Sequence, residues 1–123
     1  MKNLNYQKGR GGEESAKQYL TDKGLEWLES NFENKIGEID LVMKDEDTLV
    51  FVEVKMKIGD KYGSPEEMIG KGKLWQIKKV AESFLVMRPE IARKYQKYRI
   101  DAVCMVMDEN KAIVRINHYE NLY

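Results

Sequence analysis

The sequence predicts an α/β protein in which helices cover a mixed sheet, with elements running α-β-β-β-α-β-β. Three observations carry this. Gly37–Val42 and Leu49–Lys55 are short runs rich in apolar and β-branched residues around an acidic turn, and such runs bounded by turn formers read as a hairpin. Apolar residues recur at helical spacing on either side of it, at Ala16, Tyr19 and Leu20 and at Leu74, Ile77, Ala81, Phe84 and Leu85. Two further strand-like runs close the chain.

In order, residues 1–10 read as a loose basic arm and 11–123 as a single domain. A helix is expected from about Gly12 to Lys23, stopped by Gly24. Glu13 and Glu14 fall in its first turn, where the helix dipole favours negative charge. Leu25–Phe32 is the first strand. The hairpin loop, Lys44-Asp45-Glu46-Asp47-Thr48, has polar Asp-rich turn chemistry. Closing symmetrically about Glu46 and Asp47, it sets Asp40 opposite Glu53 and Glu38 opposite Lys55. Alternation along the strands then sends all four side chains to one face. Met56–Ser64 reads as a loop that carries Lys57. Pro65 begins a turn with Glu66 and Glu67, and Gly70 and Gly72 separate it from a helix over Lys73–Met87 that Pro89 ends. A polar segment leads to strand four, Arg99–Met107. Asp108-Glu109-Asn110 turns the chain into strand five, Ala112–His118.

Composition narrows the function classes. At 123 residues, 42% hydrophobic and 34% charged, the chain suits one soluble domain with a single core. A formal net charge of zero points to no partner by itself. The one cysteine, Cys104, excludes an internal disulfide and reads as a small core residue. With no signal-like segment and no apolar run of membrane-spanning length, a cytoplasmic protein without a membrane is expected. His118, the single histidine, is given no catalytic role.

The hairpin carries the chemistry. Directly opposed carboxylates destabilise a sheet, and an unpaired charge at Glu53, inside an apolar run, is costly. A positive group between Asp40 and Glu53 resolves both problems: Lys55, or a divalent cation. Mg²⁺ is held by one or two carboxylates together with water and phosphate oxygens, so Asp40, Glu53 and Lys55 suit metal-assisted phosphodiester hydrolysis. The plainer alternative is a solvated sheet face with a cross-strand ion pair. Charge is also segregated, since Lys71 to Arg99 holds nine basic residues against two acidic ones. Clustered lysines such as Lys57, Lys71, Lys73, Lys78 and Lys79 form an electrostatic footprint for a phosphate backbone. Trp75, Tyr95 and Tyr98 are placed to stack on bases. A solvated helix face is the plainer reading here too.

The pattern Asp40-x12-Glu53-x-Lys55, in an apolar strand, resembles the PD-(D/E)XK nuclease superfamily. The wording is closer to its YraN-like bacterial branch, related to archaeal Holliday-junction resolvases. The residues that carry this are Gly9, Gly12, Glu13 and Ala16; Asn31; Gly37-Glu38-Ile39-Asp40-Leu41; Phe51 to Lys55; Gly63 and Pro65; Lys73; Arg99 and Asp101; and Asn121. The resemblance implies a restriction-endonuclease-like three-layer sandwich, a mixed five-stranded sheet flanked by helices. It implies one or two Mg²⁺ or Mn²⁺ ions held by Asp40, Glu53, the Val54 carbonyl and a helical Glu13. Lys55 would orient the attacking water or offset charge on the phosphorane, Glu38 would support Lys55, and Lys73 would contact phosphate. DNA is expected ahead of RNA, with no small-molecule cofactor, and a homodimer is what a two-fold junction calls for. The other classes are a catalytically silent nucleic-acid-binding module and an adaptor of a repair complex.

Overall fold

The computed structural model describes residues 11–59 and 61–123; the expected basic arm, residues 1–10, lies outside them. The elements are α1 (Gly11–Asp22), β1 (Glu26–Glu33), β2 (Glu38–Asp45), β3 (Thr48–Ile58), a 3₁₀ turn (Pro65–Met68), α2 (Lys71–Met87), α3 (Pro89–Ala92), β4 (Lys97–Met107) and β5 (Ile113–Tyr119). The five strands form one open sheet in the order β1-β2-β3-β4-β5. All neighbours are antiparallel except β3 and β4. A parallel pair needs a crossover, and α2 supplies it.

Each face of the sheet carries a helix because the strands bury both sides. Val42, Leu49, Phe51 and Ile100 pack with Ile77, Val80, Ala81 and Phe84 of α2. Leu41, Met43, Val50, Val52, Val103 and Met105 pack with Ala16 and Leu20 of α1. Phe84 anchors the first core, its ring meeting Phe32 at 5.1 Å and Phe51 at 5.5 Å edge-to-face.

The hairpin register is the expected one from Asp45–Thr48 back to Leu41–Val52. The turn is the two residues Glu46 and Asp47, with Glu46 at φ 55°, the left-handed backbone that tight hairpins require. Beyond Leu41–Val52 the two strands part. Asp40 does not join the ladder; its Oδ2 accepts the Val54 backbone N–H at 2.7 Å.

Three local expectations are corrected. β3 does not give way to a loop at Met56, because β4 pairs with it through Ile58–Met107, and this places Lys57 on a strand. Gly72 lies inside α2, with Gly70 as the N-cap. The polar segment before β4 carries an unexpected short helix: Pro89 ends α2 as expected and also opens α3, where its missing N–H costs nothing in a first turn.

Candidate metal and nucleic-acid site

The site lies where β2 and β3 separate. One carboxylate oxygen from each of Glu13, Glu38 and Asp40 falls within 4.8 Å of the others. Glu13 comes from the first turn of α1, Glu38 and Asp40 from the start of β2. Asn31 of β1 joins two of them, its Nδ2 donating to Glu13 Oε1 at 2.7 Å and to Glu38 Oε1 at 2.8 Å.

Asp40 also meets Glu53. Burial, reinforced by the hydrogen bond and negative charge of Glu53 and partly offset by the Val54 N–H, pushes the Asp40 carboxyl up to about 9. Without an ion, the proton therefore resides in this pair at neutral pH, relieving the repulsion. Glu53 is buried and its Oε2 has no directed hydrogen bond. Lys73 Nζ lies 3.0 Å from that oxygen, a charge contact outside hydrogen-bonding angles. An all-oxygen donor set, strained by like charge and holding a buried oxygen without a directed partner, is what a hard divalent cation fits.

The structure redistributes the expected roles. The positive group at Glu53 is Lys73, not Lys55, so the lysine read as a phosphate contact is already engaged with a carboxylate. Lys55 has no ion pair or hydrogen bond among the described residues. Glu38 faces Asn31 and Glu13 rather than supporting Lys55. The four side chains do not share one face: Glu53 meets α2, whereas Glu38 reaches α1's Glu13 through Asn31. The cause is visible in the core. Ile39 packs with the α2 cluster and Leu41 with the α1 cluster, so the alternation slips at Asp40.

The basic stretch is likewise not one free face. Arg88 makes a two-pronged pair with Glu29 at 3.1 and 3.0 Å. Arg99 is shared among Asp45, Asp101 and Glu120. Lys79 pairs with Glu82 and Lys78 lies over the Tyr123 ring. Among the described residues, Lys57, Lys71, Arg93 and Lys94 are without ion pairs. Of the aromatics expected to stack on bases, Trp75 is about half exposed, Tyr98 packs its ring on Phe51 and Tyr95 lies beneath the Lys44 ammonium.

A second polar cluster joins Arg99, Asp101 and Asn121, which the sequence singled out without a role, to His118. Asp101 is fully buried and accepts from Arg99, from His118 Nε2 at 2.7 Å and from the Asn121 backbone N–H at 3.0 Å. Burial alone would raise its carboxyl; those three donors hold it below the usual range. Lys23 at the end of α1 reaches His118 Nδ1 at 2.7 Å. A lysine ammonium only donates, so Nδ1 accepts and Nε2–H faces Asp101. Both ring nitrogens are thus committed to tying α1, β4, β5 and the C-terminal tail together. The signal was a lone Asp in the apolar run Ile100–Met107, the same kind that marked Glu53.

A mixed α/β protein with an open five-stranded sheet and an acidic cluster at a strand fork is the class these observations define. The sequence profile of the Uncharacterised protein family UPF0102 matches residues 12–105. A UPF0102 protein of Syntrophomonas wolfei is 38% identical over 98% of this chain and 100% of its own. One from Caldicellulosiruptor bescii is 39% identical over 90% and 92%, and one from Alkaliphilus oremlandii 33% over 98% and 100%. The chain belongs to the UPF0102 family.

Proposed function

We propose that this protein is a divalent-metal-dependent endonuclease of the PD-(D/E)XK, restriction-endonuclease-like kind that hydrolyses phosphodiester bonds in DNA. The observation that carries the reading is the Asp40–Glu53 pair, two carboxyls in contact at a strand fork with a third and fourth, Glu13 and Glu38, close to Asp40. A fold keeps such a cluster at a cost in stability, and a bound cation offsets that cost. The sheet with a helix on each face supports the fold assignment, and the Asp40-x12-Glu53-x-Lys55 pattern supports the chemistry. The resemblance to Holliday-junction resolvases adds branched recombination intermediates to the candidate substrates, with a homodimer for two-fold cutting and a cytoplasmic location.

In this reading Glu13, Glu38, Asp40 and Glu53, together with the Val54 carbonyl, would hold one or two Mg²⁺ or Mn²⁺ ions. When bound, the ion would supply positive charge at the scissile phosphate and lower the pKa of water. Lys55, without a protein partner among the described residues, orients the attacking water or meets charge building on phosphate oxygens. Lys57 and Lys71 contact the backbone of the nucleic acid. Asp40 gives up its proton before the ion is held, so loading is pH-dependent. One observation favours a second reading, a silent nucleic-acid-binding module: Lys73 already neutralises Glu53 without an ion.

The test is cleavage, with protein in about 5- to 10-fold excess so that slow single turnovers are seen. Substrates are labelled four-way junction, duplex, flap, single strand and RNA, each with Mg²⁺, Mn²⁺ or EDTA, and Asp40→Ala and Lys55→Ala run beside the wild type. Metal-dependent cutting of DNA, lost in both variants, is the expected result. Salt-sensitive binding to DNA without cutting would overturn the enzyme and establish the module.

A further inference from the structure

We propose that Asn31 is a positioning residue: it clamps Glu13 of α1 to Glu38 of β2 and so sets the spacing of the carboxylates around Asp40. The inference rests on the metal-centre reading above. Its ground is the geometry of one amide nitrogen. Nδ2 carries two hydrogens, and both are used, toward Glu13 Oε1 at 2.7 Å and Glu38 Oε1 at 2.8 Å. Each bond takes Oε1, which leaves Oε2 of both side chains outside the clamp. Two carboxylates this close repel. A neutral double donor between them offsets the repulsion without adding a cation that would compete with a metal ion.

The backbone has been bent to put the amide there. Asn31 has φ 55° in the middle of β1, a left-handed conformation that is strained for a non-glycine residue. Asn tolerates it better than most residues. Its neighbours Ser30 and Phe32 pair with Leu41 and Ile39, so Asn31 lies across from Asp40, the position where alternation in β2 also slips. The two irregularities face each other. Together they release Asn31 and Asp40 from the ladder and aim both toward α1's Glu13.

The test is Mn²⁺ binding by calorimetry on the full chain, with no substrate present. Asn31→Gly keeps the left-handed backbone without strain and removes the donors. It is expected to weaken Mn²⁺ about 10- to 100-fold, the usual effect of losing a group that orients a metal ligand. Asn31→Ala, which keeps the backbone strain, should give the same loss if the amide is what matters. Combining Asn31→Gly with Glu13→Gln should cost less than the sum of the two single effects, because the clamp acts in part through that carboxylate. A purely structural Asn31 would give losses that add. Affinity within about twofold of wild type for Asn31→Gly, or additive losses, would overturn the clamp. Unchanged Mn²⁺ binding in Asp40→Asn would instead overturn the metal centre itself, and the clamp's role with it.

Discussion

Lys73 Nζ lies 3.0 Å from the buried Oε2 of Glu53, joining the first turn of α2 to the middle of the sheet. A lysine in a first turn opposes the helix dipole, and α2 has no acidic residue there. Glu53 supplies the missing negative charge from β3. The pairing makes α2 part of the centre as well as the cover of one sheet face.

Lys73→Ala leaves the buried Oε2 of Glu53 with neither cation nor directed donor. Lys73 is partly exposed, so the loss is expected at about 2 kcal/mol, below that of a fully buried pair. Mn²⁺ should restore more stability to this variant than to the wild type, because the ion then has no competitor at Glu53. Thermal unfolding with and without Mn²⁺ checks both statements.

Asp40 predicts a pH dependence. Its carboxyl stands at about 9 in the folded chain against an ordinary 3.8, through burial first and Glu53 second. Folding therefore takes up a proton between those two values. The stability this group contributes is greatest near the lower one and falls as pH climbs toward the upper, by at most about 1.4 kcal/mol per pH unit. Asp40→Asn should flatten the profile and stabilise the ion-free protein above neutrality. Urea unfolding at several pH values measures it, and Mn²⁺ affinity of the wild type should rise over the same range.

Lys55→Ala should separate binding from chemistry. Lys55 has no ion pair among the described residues, so stability should change by less than about 0.5 kcal/mol. Mn²⁺ affinity should be kept. Cleavage should drop at least about 100-fold, the scale of losing one group that meets developing charge. Single-turnover rates beside calorimetry distinguish the two effects.

Gly37→Ala tests why a glycine precedes Glu38. A Cβ there would come within 2.8 Å of Gln76 Nε2, and that nitrogen donates to the Ile36 carbonyl at 2.5 Å. Displacing the Gln76 side chain forfeits this link between α2 and the start of β2, at about 1 kcal/mol. Gln76→Ala should cost a similar amount, and the double variant little more than either. Chemical denaturation of the three proteins decides it.

Much of the fold was legible because local rules governed it. The hairpin register followed from a two-residue turn, and the order of the major elements from periodicity. What was not legible depended on partners distant in sequence. Nothing local says that β3 runs on to Ile58; β4 does, through Ile58–Met107. Strict alternation put Glu38, Asp40, Glu53 and Lys55 on one face, and the slip at Asp40 lies across from Asn31 on another strand. Glu53 was found because charge in an apolar run demands a reason, and Asp40 because the hairpin register set it opposite Glu53. The exchange of Lys55 for Lys73 at Glu53 needed α2 in place.

The fork between β2 and β3 has a consequence for spectroscopy. The Val54 amide proton is held by the Asp40 side chain of β2, where a backbone carbonyl would serve in a regular ladder. Its NMR frequency should move when Asp40 loses its proton and again when an ion claims the oxygen, while amides at the hairpin end of β3, where β2 also pairs with it, stay still. One backbone resonance would then follow both titration and loading of the centre, with no label attached and no reaction required.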